Sequence, residues 1–112
     1  MKGRLLLGIT YKDQLYFDFK VKLLSVAGEC RALEIVDGLH LNEDESKRSR
    51  SEIMLNELAF LTQQLEVDGI PQDVITAEFL LENLAPDDYL LIWSLIDKLR
   101  KKHINAGENL KE

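Results

Sequence analysis

A single cysteine, Cys30, stands in a chain of 112 residues. One thiol excludes any intramolecular disulfide and any cysteine-based zinc site. On an apolar helix face a lone cysteine reads as a small core residue. Its neighbours Glu29 and Arg31 offer no basic, open setting that would make it reactive. Histidine is nearly absent too. His40 and His103 lie far apart, and neither has a second histidine one turn away, the spacing a metal would need. Both read as surface residues. Long hydrophobic runs are missing. After Met1-Lys2-Gly3-Arg4 the apolar run is only Leu5-Leu6-Leu7, too short for a secretory leader. No stretch approaches the roughly 20 apolar residues that cross a bilayer. The expected location is therefore the cytoplasm, with no membrane partner.

Glycine-rich phosphate loops are missing, as are the nucleophile-elbow pattern and the terminal glutamate of a calcium loop. Asp87 and Asp88 are adjacent, so on a helix they point about 100° apart and do not form a carboxylate pair. Negative charge at a helix start explains them. The expectation is a protein with no catalytic residues, no metal and no cofactor. Positive charge is in short supply as well, the net charge being −6. Nucleic acid is thus not an expected partner. Two basic clusters are present. Lys47, Arg48 and Arg50 follow Glu43-Asp44-Glu45 and read as a solvated mixed-charge loop. Arg100, Lys101, Lys102 and His103 read as the cationic last turn of a helix.

What is there suits a folded domain: 46% hydrophobic and 30% charged residues. Surface scaling allows about two thirds of the unfolded surface to be buried, enough for one core without staples. The pattern predicts one α+β domain over 1–112, an N-terminal antiparallel β-hairpin followed by a small bundle of three to four helices. Residues 4–24 alternate as a hairpin, with Phe17, Phe19, Val21 and Leu23 on one face and Asp18, Lys20 and Lys22 on the other. Ser25 caps a helix over 26–37 that Gly38 stops. Its inward stripe is read as Val26, Cys30, Leu33 and Val36 or Asp37. Residues 39–50 form a polar, mobile loop.

A second helix spans 51–66, with Ile53, Met54, Leu58, Leu61 and Leu65 at helical spacing. Val67-Asp68-Gly69-Ile70-Pro71 breaks it. Pro71 opens a short turn through Ile75, and Thr76 caps a third helix over 77–83. The last helix runs over 86–103, about 27 Å at ~1.5 Å per residue. Pro86 is its first residue and Asp87 and Asp88 follow. Residues 105–112 are expected to form a frayed tail.

That last helix is richer in apolar residues than one buried face needs. Tyr89, Ile92, Trp93, Ile96 and Leu99 form one stripe; Leu91, Leu95 and Leu99, joined by Leu90, form a second. A surface helix usually shows one stripe about 100° wide or somewhat more. Either the helix is central and wrapped by the others, or one stripe is a docking surface. In the second case Tyr89, Leu91, Trp93 and Leu95 are the partner-binding positions, with Tyr89 and Trp93 as aromatic anchors.

The order of elements carries a resemblance. A two-stranded hairpin, a polar helix cap and two helices lead to a Gly69-Ile70-Pro71 break. Then comes Ile75-Thr76-Ala77-Glu78-Phe79-Leu80-Leu81-Glu82-Asn83-Leu84, followed by Asp87-Asp88-Tyr89 and a Lys/Arg-ended helix. This arrangement resembles the small tail assembly chaperones of Mu-like and related phages. Thr76–Lys102 carries most of the resemblance and Leu5–Leu33 the rest. The stretch Asn42–Arg50 is longer and more charged than the family pattern. The resemblance implies a non-virion protein of the bacterial host cytoplasm. It would bind the helical, apolar-striped tape-measure protein, keep it soluble and help tube subunits assemble around it. In related systems a programmed frameshift near the gene's end makes a longer form. The residues themselves also leave open a homo-oligomer, a regulatory binder of the antitoxin or immunity type, and a minor structural tail protein.

Overall fold

The computed structural model describes residues 1–109. An N-terminal hairpin, β1 (Lys2–Tyr11) and β2 (Gln14–Val21), turns tightly through Lys12 and Asp13, both with positive φ (49° and 64°). Two left-handed residues in a two-residue loop match the right-handed twist of the strands they join. Four α-helices follow: α1 (Val26–Leu39), α2 (Arg50–Leu61), α3 (Ala77–Asn83) and α4 (Pro86–Asn109). The architecture is α+β, an antiparallel sheet with a small helical bundle on it.

The sheet has a third strand. Leu65–Val67 forms β3, antiparallel to β2, with Phe19 opposite Val67 and Val21 opposite Leu65. The helix predicted over 51–66 therefore stops at Leu61. Helical spacing of Leu58, Leu61 and Leu65 suggested continuity, but Leu65 and Val67 are buried with Glu66 exposed between them, which is strand alternation. Three local bonds turn the chain. Thr62 Oγ1 donates to the Ala59 carbonyl at 2.7 Å, and Gln72 Nε2 donates to the carbonyls of Thr62 and Leu65. Gly69 takes φ +94°, and a side chain there would run into the Tyr16 ring.

Helix α1 also differs from expectation. Its buried residues are Gly28 and Ala32, flanked by half-buried Ile35, Val36 and Leu39. Val26 is 81% exposed, Leu33 48%, and Cys30 is exposed. The stripe read as inward therefore faces out, except for Val36. Small residues explain the phase. Gly28 brings the helix backbone against Leu24 and Gln63, and a Cβ there would sit 3.1 Å from Leu24 Cδ1. Ser25 Oγ accepts from the Gly28 amide and caps the start. Gly38 does not stop the helix; His40 does, in the left-handed conformation with φ 53°.

The connection to α2 is ordered by its own bonds. A 3-10 turn spans Glu45–Lys47, and Arg48 Nε donates to the Asn42 carbonyl. Ser49 and Glu52 form a reciprocal capping box. The Glu52 carboxylate accepts first from the Asn42 amide and then from the Ser49 amide, which holds its pKa below the ordinary 4.5.

Helix α4 has 24 residues, about 36 Å of helix. It runs through Asn109, across 105–109 where a frayed tail was expected; residues 110–112 lie outside the described residues. Gly107 alone, at about 1 kcal/mol against alanine, does not stop it. The cations Arg100–Lys102 are consequently mid-helix rather than in the last turn. Arg100–Asn109 is exposed on every side. This projecting arm helps explain a radius of gyration of 15.3 Å, above the roughly 13 Å expected for a compact chain of this length. The core beneath α4 joins Leu5, Ile9, Phe19 and Val21 of the sheet to Leu58, Leu61, Leu80, Ile92 and Ile96.

Candidate functional site

The start of α4 is locked to β1 by one carboxylate. Asp88 is fully buried. It accepts the backbone amides of Leu6 at 2.6 Å, Leu7 at 3.0 Å and Gly8 at 3.0 Å. Between Arg4 and Ile9 the strand register slips, from Arg4 opposite Asp18 to Ile9 opposite Tyr16. Gly8 makes the bulge possible with φ +84°. The bulge leaves three amides without strand partners, and Asp88 satisfies them. Helix-end charge therefore accounts for exposed Asp87, while Asp88 is a tertiary link. The only sequence sign was Gly8 inside a strand pattern. The bulge also turns Leu6 and Leu7 outward, at 67% and 55% exposure.

With Asp88 facing β1, α4 rotates its remaining residues into fixed places at about 100° per residue. Ile92 and Ile96 point into the core at 0% and 6% exposure. Leu91 and Leu95 lie on the β1 flank, half-buried and packed on that core. Leu95 closes on Gly3, where a Cβ would sit 2.9 Å from Leu95 Cδ2. Tyr89 and Trp93 lie on the opposite flank, toward α2, also half-buried. The four predicted positions are thus divided between two sides of the helix and do not form one surface. The apolar arc covers about 200° because the sheet wraps one side of α4 and the bundle the other. Leu90, at 68%, is left outside.

The Trp93 flank is open. A cleft of about 540 Å³ runs between α2, α4 and the segment after β2. Leu23, Leu24, Phe60, Trp93 and Ile96 supply its apolar walls, and Glu57, Asp97 and Arg100 its charged lining. Next to it, Tyr89 lines a smaller apolar hollow of about 190 Å³ with Met54, Leu58, Leu80, Leu81, Leu84 and Pro86. Tyr89 and Trp93 meet edge to face, centroids 6.3 Å apart at 71°. Burial raises the Tyr89 pKa above its ordinary 10.0, and the Glu57 charge adds to the rise, while the Trp93 indole N–H works against it. That N–H is itself buried without an acceptor in hydrogen-bond geometry among the described residues. Leu23 was read only as part of the hairpin's apolar face, though β2 ends at Val21, and Leu24 and Phe60 were not singled out; their periodicity carries no sign that they meet α4.

A third cavity, about 470 Å³, lies between α1, β3 and the start of α3, with Ile35, Leu39 and Ile75 beside Gln63, Glu66 and Glu78. Among the described residues no three of His, Cys, Asp and Glu gather closely enough to hold a metal ion. His40 caps α1 and His103 sits on the α4 arm, both exposed. Among the described residues no helix is long and apolar enough to cross a membrane. No family model, curated protein or solved structure matches this chain.

Proposed function

We propose that this chain is a non-enzymatic tail assembly chaperone of a bacteriophage or prophage. It binds the tape-measure protein in the host cytoplasm and keeps it soluble while the tail is built. The observation that supports this reading best is the Trp93 cleft. A groove with apolar walls and charges of both signs around it suits the apolar stripe of a helix laid along it. Trp93 is the residue type that most often anchors such contacts. The resemblance in element order, from the hairpin to the Lys/Arg-bearing last helix, supplies the identity of the helical partner. An acidic body adds repulsive charge to a partner that would otherwise aggregate.

Co-expression with a tape-measure protein from the same genome tests the reading. The expected result is a soluble tape-measure protein that co-purifies with this chain. Trp93→Ala should weaken the complex by about 2 kcal/mol, roughly 30-fold, with the helical circular dichroism retained. If the two proteins neither co-purify nor change each other's solubility, the chaperone reading fails.

A further inference from the structure

Two exposed helical features lie outside the core. The first is the outer face of α1. Val26, Cys30 and Leu33 recur at i, i+4 and i+7, which puts them in one line on the helix. All three are exposed. Glu29 lies to one side of this line, Glu34 to the other, and Asp37 continues it one turn beyond Leu33. Among the described residues none of these carboxylates makes an ion pair. The second feature is the projecting end of α4. Ile104 is 53% exposed, and helical geometry places Arg100 and Lys101 on either side of it, one turn back. Asp97 pairs with Lys101 at 3.0 Å, while Arg100 and Lys102 have no ion pair among the described residues.

The charge is divided in the same way along the whole chain. Residues 1–97 hold nine Lys and Arg against 18 Asp and Glu, whereas 98–109 hold four against one. One face is therefore an apolar line edged with negative charge, and the other belongs to an arm of net positive charge, with Arg100 and Lys101 one turn before Ile104 and Glu108 one turn after it. Helix α1 is about 21 Å long and Arg100–Asn109 about 15 Å, so the arm spans part of that face. The arm's own copy leaves both faces in solvent.

We propose that the acidic outer face of α1 is covered by the basic end of α4 from a second copy of this chain. Leu33 and Cys30 meet Ile104, and Glu34 and Asp37 face Arg100 and Lys101. A two-copy assembly closes when each copy lends its arm to the other, and contacts passed along in one direction give larger assemblies. Complementary charge sets the pairing and makes it sensitive to salt. Arg100 also lines the Trp93 cleft, so self-association is separated from capture of a foreign helix by reversing Glu34 and Asp37, which lie outside that cleft.

Sedimentation of the full chain tests this. At about 10 mM ionic strength, where screening reaches about 30 Å, the mass should be that of two copies or more; near 1 M, at about 3 Å, it should fall toward one. Arg100→Glu with Lys101→Glu should lower the association constant about tenfold or more, since like charges then face each other. Glu34→Lys with Asp37→Lys should do the same, and combining all four should restore assembly. Ile104→Cys gives a covalent readout. Mild oxidation of that variant should yield a disulfide between position 104 of one copy and Cys30 of another, located by peptide mapping. A monomer at every concentration in low salt would overturn the proposal. So would an assembly that both charge reversals leave unchanged, or cross-linking that never joins position 104 to Cys30.

Discussion

Helices α1 and α4 invite comparison because both carry apolar residues at helical spacing, yet only one buries them. In α4 the residues of the apolar stripe reach the core, with Ile92 and Ile96 hidden and Tyr89 and Trp93 half-covered. In α1 the regular line of Val26, Cys30 and Leu33 faces solvent while Gly28 and Ala32 face inward. The difference lies in the surface each helix meets. Helix α4 crosses a sheet face that needs large side chains to fill it. Helix α1 comes so close to Leu24 and Gln63 at Gly28 that a side chain there would crowd Leu24, while Ile35, Val36 and Leu39 pack on the core further along. Spacing reveals that a helix has an apolar line. The packing partner decides whether that line turns in or out.

The largest effect should come from the anchor that sets the phase of α4. Asp88→Ala strands three amides of the β1 bulge and should cost about 3–5 kcal/mol, read from urea unfolding. A loss below about 1 kcal/mol would mean that water serves those amides as well as the carboxylate does. Next comes α1, where neighbouring positions should behave oppositely. Ala32→Leu overfills a site with no exposure and should cost about 1–3 kcal/mol. Leu33→Ser should change monomer stability by no more than about 0.5 kcal/mol. The reverse ranking would place α1 in the phase first read from its sequence.

The smallest effect is alkaline. Burial raises the Tyr89 pKa in the folded chain above the ordinary 10.0. The folded state then holds the proton more tightly than the unfolded state does. The contribution is complete below 10.0 and fades as pH climbs through the folded value. Melting temperature measured upward from pH 10.0 should fall less steeply in Tyr89→Phe than in the parent chain. Equal slopes would show that Tyr89 titrates as a free tyrosine.

Much of the fold was legible because local chemistry agreed with it. Thr76 caps α3, which spans Ala77–Asn83 as read, and Pro86 opens α4. Phe19 and Val21 alternate with Asp18 and Lys20 in β2 as the pattern required. What escaped depends on contacts distant in sequence. Strand β3 exists because Leu65 and Val67 pair with Val21 and Phe19 some 45 residues away, and Leu65 also fits a helical repeat. Asp88 stands where helix-end charge is expected, and nothing local distinguishes it from Asp87. The apolar excess on α4 could be seen, but not its division into a β1 flank with Leu91 and Leu95 and an α2 flank with Tyr89 and Trp93. That division follows from the sheet and bundle closing on the helix from two sides.

The thiol of Cys30 reports most directly on the outward face of α1. In dilute protein at high salt, where copies are apart, a thiol reagent should label Cys30 in the native chain nearly as fast as in the urea-unfolded chain. Labelling should slow at low salt and high concentration as the face becomes covered. A native Cys30 that reacts only on global unfolding would place Val26, Cys30 and Leu33 in the core and contradict this account of the surface.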